Sequence, residues 1–172
     1  MENNFYMFKQ QFTYFEDALQ DLENAIAAFN DQNFNTKPAE GAWSAGQVVE
    51  HLIKSSDGLD ALMINPVTKT QRDPLEKIPL IESVFLDFEA KYKSPEFNTP
   101  SEEPKDKTLL LHQILENYRN FRETYLQLPP GELCTGFEVP TMGTFTRAEW
   151  LAFVRCHTTR HTRQLRNIFN TV

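Results

Sequence analysis

Cysteine is scarce in this chain, long apolar runs are missing, and positive charge is in the minority. Two cysteines, Cys134 and Cys156, do not make a disulfide framework, so neither covalent staples nor a thiolate metal cage is expected. No stretch approaches the roughly 20 apolar residues needed to cross a bilayer. The opening MENNFYMFKQ has no basic region followed by an apolar core, so no secretory signal is read there and a cytoplasmic location is expected. With 17 basic against 24 acidic residues and a net charge of -7, nucleic acid is not expected as a partner, because phosphate binding needs a clustered positive field. The basic cluster Arg155, Arg160, Arg163 and Arg166 reads as a charged helix flank paired with acids.

What the chain does have is enough apolar residue, 40%, to build one core within its 172 residues. A single domain spanning 1–172 is the economical expectation. Phe5, Phe8, Phe12, Phe15, Leu19, Leu22, Ile26 and Phe29 recur at spacings of three and four, an apolar stripe along one helix. Ser44 and Gln47 have the spacing of a capping box, with Val48, Leu52, Leu59 and Leu62 as the buried face of a helix that Asn65-Pro66 stops. A third helix is expected from about Lys107 to Leu128, through Leu111, Ile114, Leu115, Tyr118, Phe121 and Tyr125. Thr146 and Glu149 form a second capping box, opening a fourth helix with Trp150, Val154, His157, His161, Leu165 and Ile168 on one face. Residues 65–106 are broken by prolines and read as a connection with one short helix from Ile81 to Tyr92; residues 129–145 read as a loop. The expected fold is all-α, a four-helix bundle with a long connection between helices 2 and 3.

The fourth helix carries the chemistry. Its apolar stripe runs through positions 157 and 161, and both are histidine. Side chains four apart on a helix lie on one face, so two imidazoles there can share one metal ion. Unpartnered in a core stripe they would carry a desolvation cost. His51 lies beside the core face of the second helix and can complete the set. Among the remaining candidates, His112 reads as a surface residue and Cys156 as a small buried one. Trp43 and Trp150 read as packing anchors of their helix starts. Glu50 and Gln164 are read as candidates for supporting a histidine, with surface roles as the plainer alternative.

Trp43-Ser44-x-x-Gln47-x-x-Glu50-His51-Leu52 resembles the second-helix signature of DinB-like metalloproteins. Gly143-Thr144-Phe145-Thr146-x-x-Glu149-Trp150-Leu151-x-Phe153, followed by His157-x-x-x-His161-x-x-Gln164-Leu165, resembles their fourth helix. The resemblance implies an up-down-down-up bundle and a divalent metal, Zn or Ni, held by His51, His157 and His161. It further implies thiol-dependent transfer with a low-molecular-weight thiol and a small-molecule substrate; metal-dependent hydrolysis, or a non-catalytic, stress-related metal-binding role, is the alternative. A homodimer is expected on the same ground. No catalytic acid or base is identified from the residues.

Overall fold

The computed structural model describes residues 2–172, with side chains from Tyr6 onward. The main helices form where the apolar periodicity demands them. Helix α1 spans Glu2–Ala27; Phe15, Leu22 and Ile26 are fully buried, while the side chain of Phe5 lies outside the described residues. Helix α2 spans Ala45–Ser56 behind its capping box, in which the Gln47 backbone N–H donates to Ser44 Oγ and the Ser44 N–H donates to Gln47 Oε1. Gly58 at φ 72° ends this run, and residues Leu59–Ile64 form a separate short helix α3. The single second helix expected up to Asn65 is therefore two, because Asp57 and Gly58 leave the helical region.

Strand β1 is Val67–Lys69, and helix α4 is Ile78–Phe85. The short helix expected over 81–92 thus starts three residues earlier and stops at Phe85: Pro79 suits a first helical turn, and the Asp87 carboxylate accepts from the N–H groups of Glu89 and Ala90, turning the chain away. A 3₁₀ turn at Glu96–Asn98 follows. Helix α5 is Lys107–Gln127, strands β2 and β3 are Glu132–Val139 and Gly143–Thr146, and helix α6 is Arg147–Phe169.

The strands correct the all-α four-helix expectation. They form an antiparallel sheet in the order β1-β2-β3, pairing Val67 with Cys134 and Cys134 with Phe145. The segment 129–145, expected to be a loop, is a hairpin turning at Thr141 and Gly143, both with positive φ. Its strands are short, and Thr135 to Glu138 are exposed, so no clean apolar alternation marks it; inter-strand hydrogen bonds hold it instead. The sheet docks on the helices through Cys134 and Phe145, both fully buried.

Helix α1 packs on α6, α2 packs on α5 and α6, and α4 also packs on α6. The core joins these faces, from Phe15 and Leu22 through Val48 and Leu52 to Phe121 and Leu165. At about 1.5–3 kcal/mol for each large apolar side chain taken from water, this core is the main source of stability. Leu19 is only partly buried, so the stripe's anchor is Leu22. Among the described residues, no helix is long and apolar enough to cross a membrane.

Both capping boxes do a second job. Gln47 Nε2 donates to the Ser101 carbonyl at 3.0 Å. Glu149, fully buried, accepts from Arg72 Nη1 at 2.5 Å and Nη2 at 2.6 Å, and from the Lys77 backbone N–H at 2.8 Å. The connection from 65 to 106 is thereby strapped to the start of α6 at one end and to the start of α2 at the other.

Candidate metal centre

Helix α2 presents His51 about two turns past its capped start, and α6 presents His157 and His161 one turn apart. Because α2 and α6 pack together, the three imidazoles meet. His157 Nε2 lies 3.1 Å from His51 Nε2 and 3.1 Å from His161 Nε2, and one nitrogen of each ring lies within 4.8 Å of the others. All three residues are buried, at 4%, 9% and 8% exposure for His51, His157 and His161.

The protonation pattern follows from the outer partners. His51 Nδ1 lies 2.8 Å from the carbonyl oxygen of Asn98. A carbonyl only accepts, so Nδ1 carries the proton and Nε2 presents a lone pair. His161 Nδ1 lies 2.8 Å from Gln164 Oε1, which fixes the same tautomer there. A neutral His157 offers one proton at most, and it faces two lone pairs 3.1 Å away. Three nitrogens so directed satisfy one another incompletely by hydrogen bonding, and a cation among them would satisfy all three. With metal–nitrogen bonds of about 2.0–2.1 Å, tetrahedral ligand nitrogens stand roughly 3.3 Å apart, close to the spacing present.

The local field keeps the rings neutral. Burial pushes His157 well below its ordinary value, reinforced by His161, His51 and Arg160. Burial, then His51, pushes His161 down to about 3. His51 is lowered by burial and by Lys54, against the opposing effect of the Asn98 carbonyl. Neutral imidazole is the form that ligates metal.

Around His51, a second layer fixes the backbone. Asn98 Nδ2 donates to Ser55 Oγ, which donates to the His51 carbonyl, and Ser94 Oγ donates to Asn98 Oδ1. Gln164 takes the supporting role that its spacing from His161 allowed. Glu50 does not: it pairs with Lys54 at 2.9 Å and Lys105 at 2.7 Å. Asn98 was not among the sequence candidates; it acts through a backbone carbonyl, to which its residue type gives no clue. His112 is exposed, and both cysteines are buried with thiols pushed up by desolvation, Cys134 to about 11 and Cys156 to about 12. They are not poised as thiolates.

The cluster opens into a cleft of about 1310 Å³ that His51, His157 and His161 all line. Trp43 and Trp150, expected as packing anchors, also face it; Trp43 sits 5.2 Å from the His51 ring. Phe153 stacks on His157 at 5.6 Å, Trp150 lies 5.3 Å from Phe153, and Phe137 lies 6.2 Å from Trp150, so an aromatic wall leads outward from the histidines.

A helical scaffold with a buried three-histidine cluster that could hold a metal ion, at the foot of an open cleft, defines the class. The chain belongs to the DinB superfamily, whose sequence model matches residues 14–165. It is similar to the uncharacterized protein YuaE of Bacillus subtilis (strain 168), at 21% identity over 154 residues, 90% of this chain and 94% of that protein. No solved structure matches the chain.

Proposed function

We propose that the protein holds one divalent metal ion through His51, His157 and His161 and uses it for thiol-dependent transfer, with a low-molecular-weight thiol as cosubstrate. The observation that carries this reading is the convergence of three Nε2 atoms, two of them fixed as lone-pair donors, at the wall of a cleft large enough for two small molecules. Three neutral nitrogens and no thiolate suit Zn²⁺ or Ni²⁺. His51, His157 and His161 would hold such an ion with room for a further ligand, and it would supply acidification of a bound thiol at neutral pH.

The chain's own residues supply the rest. Asn98 and Gln164 orient the outer imidazoles. Lys54 and Arg160, near enough to oppose protonation of the histidines, favour an anion in the same place. Phe153, Trp150 and Phe137 offer the apolar surface an acceptor molecule needs. In the transfer, the thiol's proton passes to water, sulfur bonds to an electrophilic carbon, and the leaving group departs with the electron pair of the bond that breaks. Among the described residues, Asp57 is the one carboxylate lining the cleft, against the five cations Lys54, Lys91, Lys93, Arg160 and Arg163. Metal-assisted hydrolysis commonly recruits a carboxylate base beside its histidines, so this lining favours thiol over water as the nucleophile.

The test is spectroscopic. A thiol that binds the metal of Co²⁺-substituted protein adds charge-transfer absorption. At least one of bacillithiol, mycothiol, glutathione or coenzyme A is expected to do so; unchanged spectra with all four would overturn the thiol reading and move hydrolysis ahead of it.

A further inference from the structure

The cleft floor is polarised along helix α6. Trp150 and Phe153 lie before the histidines, and Arg163, Gln164 and Asn167 follow them. At about 1.5 Å per residue, Arg163 stands roughly 20 Å along α6 from Trp150, past both histidines, and Arg160 sits level with them. The basic run on α6 accordingly divides in two. Arg155 pairs with Glu82 and Arg166 with Asp21, as a charged flank should. Arg160 and Arg163 face the cleft, and neither has a carboxylate partner among the described residues.

Both are held in place by neutral groups. Arg160 donates to the carbonyls of Phe85, Asp87 and Ala90 and lies 5.2 Å over the Tyr92 ring. Arg163 lies 4.5 Å over the ring of Phe88. Lys91 and Lys93, on the same connection, line the cleft as exposed side chains, again without a carboxylate partner among the described residues. Four cations, none with an acidic partner among the described residues, therefore line the part of the cleft where residues 85–93 meet Arg160 and Arg163, in a chain whose net charge is -7. Placing them there against the sign of the whole molecule focuses a positive potential on whatever enters.

We infer that this part of the cleft is an anion-recognition subsite, formed by Arg160, Arg163, Lys91 and Lys93, that selects a thiol cosubstrate bearing carboxylates. The assignment of the ligand as a thiol rests on the function proposed above; the anion subsite itself rests on the cations. A carboxylated thiol would lay its acidic part across these four residues with its sulfur toward the histidines, leaving the aromatic end free for the acceptor.

Two thiols of similar size separate charge from sulfur: mercaptosuccinate, a dicarboxylate, and thioglycerol, which is neutral. Their affinities are read from the spectra of Co²⁺-substituted protein, and that of succinate, which has no sulfur, by calorimetry. Each is measured with the wild type and with K91Q/K93Q/R163Q, whose three altered side chains are exposed and leave the core untouched. The wild type should bind mercaptosuccinate about tenfold or more tightly than thioglycerol, and both the triple variant and about 0.5 M NaCl should bring the two within roughly twofold. Succinate binding should weaken by a similar factor in the variant. Equal affinity for the two thiols in the wild type, or a preference that survives in the variant, overturns the subsite. If no thiol alters the spectra while succinate still separates wild type from variant, the thiol reading falls and the anion subsite stands. If both thiols alter the spectra equally and succinate shows no difference, the subsite falls and the thiol reading stands.

Discussion

Helix α6 and the connection from residue 65 to 106 line the same cleft, and they are held there by opposite means. Helix α6 is placed by periodic burial: Val154 and Leu165 are buried in the core, and His157 and His161 line the cleft from the same helix. The connection has little such face, with Ile78 and Ile81 its main buried apolar residues. Hydrogen bonds from the helices hold it: Glu149 to Arg72 and Lys77, Gln47 to Ser101, His51 to Asn98, and Arg160 to three carbonyls of residues 85–90. The floor of this site is thus a packing product and its wall a polar one, so the two should fail separately.

The largest effect is expected where the wall is strapped. Glu149→Ala leaves Arg72 without its carboxylate in a part-buried position and removes the capping box of α6. Losing one partner of such a pair should cost about 3–5 kcal/mol, measured by urea unfolding. A loss below about 1 kcal/mol would mean that the connection is held by something else.

Leu22→Ala strikes the floor instead. The side chain is fully buried, so about 2–5 kcal/mol should be lost. Metal affinity measured by chelator competition should stay within roughly threefold of wild type, because no ligand or ligand partner moves. A parallel collapse of metal affinity would mean that floor and wall are one cooperative unit.

Acid sharpens the contrast in the metal-free protein. His161 has an ordinary value of 6.5 and is held at about 3 in the fold, so the unfolded chain binds the proton more readily. Its contribution to stability is complete above pH 6.5 and is lost as pH falls from 6.5 toward 3. His161→Gln should flatten the slope of unfolding free energy against pH across that window; an unchanged slope would contradict the burial of a neutral ring.

A smaller effect is expected at the partner of that ring. Gln164→Ala removes the acceptor at 2.8 Å that fixes the His161 tautomer. Metal affinity should fall about 10- to 100-fold with little change in unfolding midpoint, whereas Gln164→Glu, which keeps an acceptor there, should retain it. Equal affinity in Gln164→Ala and wild type would make the contact incidental.

The contrast between floor and wall also explains what could be read from the amino-acid order. Ser44 with Gln47 and Thr146 with Glu149 mark helix starts by local chemistry, and both boxes form. His157 and His161 are legible because they interrupt a stripe whose period is known. His51 needed the resemblance to a family as well as its place beside Leu52. The three-stranded sheet escaped because three to eight residues with one exposed face carry too short a pattern, and because β1 pairs with a strand more than 60 positions away. Asn98 escaped for another reason: a backbone carbonyl can come from any residue, and only the fold says which one meets His51. The split of the four arginines into two paired with acids and two facing the cleft is likewise tertiary, since all four share one helix.

Whether the three histidines hold one divalent ion is tested most directly by elemental analysis of purified wild-type protein beside His157→Ala. His157 is the ring whose Nε2 lies 3.1 Å from both others, so its loss should remove the site while the Leu22-centred core remains. Close to one equivalent of metal per chain is expected in the wild type and most of it gone in the variant, with unfolding still cooperative. Wild-type protein that takes up no divalent metal, or a variant that keeps its full complement, would contradict the three-histidine site.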